Sequence, residues 1–166
     1  MVKVEERLDE MFTYLPAMAG INSEGSFNPT FGYGDGIELN AFLKGKQNSE
    51  SPYPLIWLLY PYSEQHSEHF VDVKGMVLVL AVQSNASMQN RERLKTTFNQ
   101  LLIPLYDNIS LLFKRASITN LNWDYEVQKH PNYSDGGDSA GTFLWDALRM
   151  KFDIRITDDC LKAIKV

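Results

Sequence analysis

A chain of 166 residues, 44% of them hydrophobic, is long enough to bury a proper core and is most simply read as one domain spanning 1–166. Its formal net charge of −5 argues against wrapping DNA or holding an anionic membrane through bulk charge, and no apolar run is long enough to cross a bilayer as a helix. Cys160 is the only cysteine, so an internal disulfide is excluded; with a charged start that lacks a signal-peptide core, this points to synthesis in a reducing cytoplasm.

In chain order, Val4, Leu8, Met11, Phe12 and Leu15 form the apolar stripe of a first helix that should end near Pro16. Residues 19–53 change character, being rich in Gly, Asn, Ser and irregularly spaced aromatics such as Phe31 and Tyr33, and read as a turn-rich excursion. Gly32, Gly34 and Gly36 lack both the spacing and the preceding strand of a phosphate-cradling loop. Ile37–Leu43 fits a short helix or a strand equally well. Pro54–Tyr60 is a buried strand bounded by prolines, and Pro61–Glu68 a polar link. That link carries His66 and His69 beside Glu64 and Glu68, but in a connection without supporting cysteines, so solvated loop histidines are favoured over a metal site.

His69–Val82 organises the chain. It begins by alternating and becomes apolar on both faces from Met76 to Val82, as in a central strand covered on both sides. Ser84, Asn85 and Ser87 can each cap the next helix. Leu94, Phe98, Leu101, Leu102, Leu105, Ile109, Leu112 and Phe113 recur at helical steps, and Pro104 predicts a kink or break. Leu121, Trp123, Tyr125 and Val127 then alternate with Asn122, Asp124 and Glu126, which predicts a half-exposed strand over 117–127 with odd positions inward. A long hairpin loop over 128–142 follows. The last strand puts Leu148, Met150, Phe152, Ile154 and Ile156 inward and Arg149, Lys151, Asp153 and Arg155 outward. Pairing these two strands antiparallel with Trp123 opposite Met150 sets Tyr125 against Leu148, Leu121 against Phe152, Asp124 against Arg149 and Asn122 against Lys151. Thr157–Val166 is a short tail with a helical turn.

The fold class expected from this order is α+β, an antiparallel sheet of about four strands with two main helices packed mostly on one face. Asp124, Glu126 and His130 are the best residues for acid–base work, as base, acid and orienting group of a small hydrolase or ligand-binding domain. Carboxylates alternating along a strand are more usually its solvent face, and no catalytic, cofactor or metal motif is complete. Arg149, Lys151 and Arg155 form a basic stripe interrupted by Asp153, better suited to salt bridging with a neighbouring strand or subunit than to phosphate.

Four stretches carry a resemblance: the Glu5-Glu-Arg-Leu8 helix, the Tyr53-Pro-Leu-Ile-Trp-Leu58 strand, the Phe70–Val82 strand leading through Ser84-Asn-Ala-Ser87 to Arg91-Glu-Arg-Leu94, and the closing Trp145–Ile156 strand. In pattern and length the chain resembles the small tail-terminator and neck proteins of long-tailed bacteriophages; the 19–53 excursion and the long loop depart from them. The resemblance implies a structural virion protein without enzymatic activity or cofactor. It would assemble with itself as a ring, commonly a hexamer, between the tail tube and the head connector, and terminate or cap the tube. Its partners would be the tail-tube protein and neck proteins; DNA would pass through the channel without specific binding, and no membrane is involved. A head-side adaptor or completion ring fits equally. Candidate interface residues are Phe31, Tyr33, Asp135, Asp138, Arg149, Lys151 and Arg155, because long loops are usually functional and the stripe is exposed.

Overall fold

The structure, a computed structural model, describes residues 2–45, 54–84, 87–121, 126–131, 144–162 and 164. Helix α1 covers Val4–Phe12 and buries Val4, Leu8, Met11 and Phe12, the stripe expected from their spacing. Strands β1 (Met18–Ala19) and β2 (Ser26–Phe27) pair as a small separate hairpin. Then come β3 (Thr30–Gly34), α2 (Gly36–Gly45), β4 (Leu55–Leu59), β5 (Ser63–His66) and β6 (Phe70–Ser84). A long helix follows as α3 (Asn90–Arg93), a π-helical segment (Leu94–Leu102) and α4 (Ile103–Arg115). The chain closes with β7 (Thr119–Asn120), β8 (Glu126–His130) and β9 (Leu144–Thr157).

The α+β class holds, but the sheet differs from the expected one. Among the described residues it has seven strands in the order β3-β4-β6-β9-β7, with β5 also on β6 and β8 also on β9. It is mixed, because β3 runs parallel to β4 while the other pairings are antiparallel. The reason lies in the supposed excursion. Residues 30–45 form a strand and a crossover helix, and such a helix is what a parallel pair requires. Asp35 and Glu38 fix its start reciprocally: Glu38 N donates to Asp35 Oδ1 and Asp35 N to Glu38 Oε2, both at 2.9 Å, a capping box.

Both faces of β6 are covered from Met76 to Val82, as its composition requires. On one face Met76, Leu78, Leu80 and Val82 meet α1 and the long helix, together with Ile56, Leu58 and the even positions 148–156 of β9. On the other, Val77, Val79 and Ala81 join Trp57, Trp145, and Leu39 and Leu43 of α2. The helices therefore flank the sheet rather than sharing one face. The apolar set switches from odd Val71 and Val73 to even Met76 and Leu78 through a β-bulge between Val73 and Met76. Gly75 supplies the left-handed φ of 67° there, and its N–H donates to Asp153 Oδ1 at 2.6 Å.

Pro104 does not end the helix. A proline has no N–H to give, and its ring excludes the carbonyl four residues back. The wider five-residue bonding of Leu94–Leu102 immediately upstream accommodates both constraints. This widening also changes which residues face the sheet: Leu94 is 43% exposed while Arg93 is buried. The N-cap of α3 is Gln89, without a side-chain capping bond, and Ser84 belongs to β6; Asn85 lies outside the described residues.

Of the strand expected over 117–127, the described residues show β7 and the start of β8. Residues 122–125, with Trp123, Asp124 and Tyr125, lie outside the described residues, as do 132–143. The hairpin partner is right in kind, for β8 pairs antiparallel with β9 and joins odd to even numbers, but the register is four residues away. Met150 faces Val127, Leu148 faces Lys129, Arg149 faces Gln128 and Lys151 faces Glu126. Leu121 and Val127 are exposed rather than inward. In β7 the pairing is Thr119 with Arg155, odd with odd, so the two segments meet β9 in different registers. An apolar alternation fixes which face is buried only if one strand runs through it unbroken.

Candidate functional site

The described sheet is open on both sides, with β3 at one margin and β7 and β8 at the other. Edge strands present unpaired backbone donors and acceptors, so each is a surface in its own right. Along β3, Thr30 N donates to Pro54 O at 3.0 Å, and Gly34 O accepts from Tyr60 N at 2.9 Å. Thr30, Gly32 and Gly34 therefore turn their backbone groups toward β4, and Phe31 and Tyr33 turn theirs outward. The glycines serve this packing. A Cβ on Gly32 would stand 2.7 Å from the Trp57 ring, and Trp57 Nε1 donates to Gly34 O at 3.2 Å.

Phe31 is anchored by its side chain on Phe12, with ring centroids 5.1 Å apart, whereas Tyr33 is 52% exposed. Beside Tyr33 the Tyr60 and Tyr62 hydroxyls both donate to Glu5 Oε1 and tie α1 to the start of β5. Burial pushes the Glu5 carboxyl up, but the two hydroxyls outweigh it and hold the group below its ordinary value. Burial, reinforced by Glu5, raises both tyrosines. A depressed carboxylate contributes its stability above the ordinary value of 4.5 and loses it as pH falls through the lower folded value. Glu5→Gln should therefore be less stable than wild type in urea at pH 7, with the difference closing at a pH well below the ordinary 4.5. An unchanged difference at both pH values would mean that Glu5 does not bind as a carboxylate.

At the other margin Glu126, Gln128 and His130 share one face of β8, with Lys151, Arg149 and Ala147 directly opposite on β9. Gln128 Nε2 donates to Glu126 Oε1, and His130 Nε2 lies 3.0 Å from Gln128 Oε1. The acid–base grouping is thus reduced to Glu126 and His130 bridged by an amide on an outer strand; Asp124 lies outside the described residues. A cleft of about 360 Å³ between α4 and β9, lined by Tyr106, Ser110, Phe113, Met150 and Phe152, opens on the opposite face and contains neither residue.

The basic stripe is divided. Arg155 makes a two-pronged bond to Asp72 on β6, at 2.6 and 2.8 Å, and its guanidinium lies 3.9 Å from the Phe70 ring centre. That bond holds Asp72 below the usual carboxylate range. Lys151 is exposed and Arg149 half-buried, with no hydrogen-bond partner for Arg149 Nε among the described residues. Asp135 and Asp138 lie outside the described residues. His66 is in β5, with Nε2 2.6 Å from Glu64 Oε2, and His69 sits 3.9 Å from Asp158. Among the described residues no three His, Cys, Asp or Glu are placed to hold a metal, and no helix is long and apolar enough to cross a membrane.

Sequence reasoning missed the Glu5–Tyr60–Tyr62 knot, which has no local spacing signal. It left Ile37–Leu43 open between helix and strand, although the capping-box spacing of Asp35-Gly-Ile-Glu38 pointed to the helix α2. No model of a known protein family matches the chain, nor does any curated protein or solved structure.

Proposed function

We propose that this chain is a structural, non-enzymatic subunit of a long-tailed phage virion. It forms a homo-oligomeric ring, most simply a hexamer, at the head–tail junction, where it terminates or caps the tail tube and leaves a channel for DNA. The observation that carries this reading is that, among the described residues, the sheet is open at two opposite margins, β3 and β8, each offering five described residues. Two different surfaces on opposite sides of a subunit join head to tail, and such joints close into rings when the rotation allows. Its neighbours in the virion would be the tail-tube protein on one side and neck proteins on the other, and a head-side adaptor ring uses the same geometry. DNA would traverse the ring without base recognition, in keeping with a net charge of −5.

Light scattering after size exclusion, with negative-stain electron microscopy, tests this. The full chain, alone or mixed with tail-tube protein, is expected to give closed rings with a central hole. A monomer at every concentration and in every mixture, or hydrolytic turnover abolished by Glu126→Gln, would overturn it.

A further inference from the structure

We infer that copies of this chain join by adding the β8 edge of one to the β3 edge of the next, making one sheet continuous across the joint. This rests on the ring reading and specifies its contact. Three observations carry it. Phe31 and Tyr33 direct their backbone groups outward along β3, so that strand is a template for a partner strand. β3 and β8 each offer five described residues, so over that span one edge can satisfy the other.

The margins also carry opposite charge. The cleft beside Tyr33 holds Glu5, Glu6 and Glu64 against Lys3 and His66. At the β8 margin Lys129 is exposed on one face, and on the other Lys151 and the half-buried Arg149 of β9 stand behind Glu126 and Gln128. Opposed fields of this kind steer association and penalise joining two like edges, which selects a head-to-tail contact over a twofold one.

Strand directions set the geometry of the joint. β3 and β4 run together, β6 runs against them, β9 runs with them and β8 against them. If the subunits are related by rotation about an axis along the strands, every copy keeps these directions. β8 of one copy then meets β3 of the next antiparallel.

Tyr33→Pro is the direct test. The lost N–H points away from β4, so the inner ladder keeps its bonds, and proline is tolerated on a sheet edge. Tyr33→Pro should keep the far-ultraviolet spectrum of the wild type and raise the concentration needed for oligomer by about tenfold or more, the order of one or two backbone hydrogen bonds. Tyr33→Ala, which keeps the N–H, should still assemble.

Glu64→Lys and Lys129→Glu, both exposed, supply the second arm should Tyr33→Pro unfold. Each alone should weaken assembly, and an equimolar mixture should restore rings. A wild-type ring that survives Tyr33→Pro, or fails to respond to either charge reversal, overturns the strand-addition contact and leaves the ring standing. A discrete dimer overturns the head-to-tail arrangement. A wild type that never oligomerises removes both.

Discussion

Asp146→Ala is expected to destabilise the chain by about 3–5 kcal/mol, the range for breaking a buried ion pair from one side. Asp146 is fully buried near the start of β9, and Arg93 is 2% exposed at the end of α3. Their Nη1–Oδ1 distance is 2.8 Å, and Arg93 Nε also donates to Met88 O at 2.9 Å. Removing the carboxylate takes away the acceptor of Arg93 Nη1 while the guanidinium stays buried, and its charge cannot be shed by deprotonation. The pair also anchors a helix start that lacks a side-chain cap, so the loss extends to the docking of α3 on the sheet. Urea unfolding of Asp146→Ala measures the cost, and Arg93→Met combined with Asp146→Leu should recover much of it. A loss below about 1 kcal/mol in the single variant would mean that Arg93 escapes to water.

Trp57→Ala is the second large effect, also expected at about 3–5 kcal/mol. The indole is 5% exposed, lies over Gly32, sits 5.4 Å from the Phe42 ring and donates to Gly34 O. It therefore fixes β3, α2 and β4 at once. Trp57→Phe keeps a ring but loses the donor, and should cost clearly less than the alanine variant. Both losses are read from urea midpoints. On the proposed joint, Trp57→Ala should also abolish assembly under conditions where the chain is still folded, since β3 loses the support that holds it against β4. Normal rings from a folded Trp57→Ala variant would separate β3 from the joint.

Much of the interior was legible because burial leaves periodic traces. Val71 through Val82, the even positions of β9 and the α1 stripe all occupy the faces their spacing predicts. What failed depended on contacts distant in sequence. Gly32 of β3 resembled a loop residue because its purpose, making room for Trp57, lies 25 residues further along the chain. The β8 register failed because it was tied to Trp123 as part of an unbroken strand, whereas the described pairing restarts at Glu126. Of the candidate interface residues, Phe31 and Tyr33 lie on an outer strand of the described sheet and Lys151 is exposed, but Arg155 is engaged by Asp72. Charge alternation in a strand shows which side chains face outward and not which of them already have partners.

The bulge in β6 makes that strand unusually forgiving of a change in length. Lys74 and Gly75 together stand opposite the single residue Asp153, because Val73 faces Ile154 and Met76 faces Phe152. Loss of Gly75 would restore one-to-one pairing and an unbroken two-residue repeat from Val71 to Val82, with every apolar side chain still on its present face. Loss of a residue at Leu78 or Leu80 would instead invert everything beyond it and exchange the side chains of the two covered faces. A deletion in this 15-residue strand is therefore tolerable at the bulge, and the glycine marks where the strand can be shortened without being turned over.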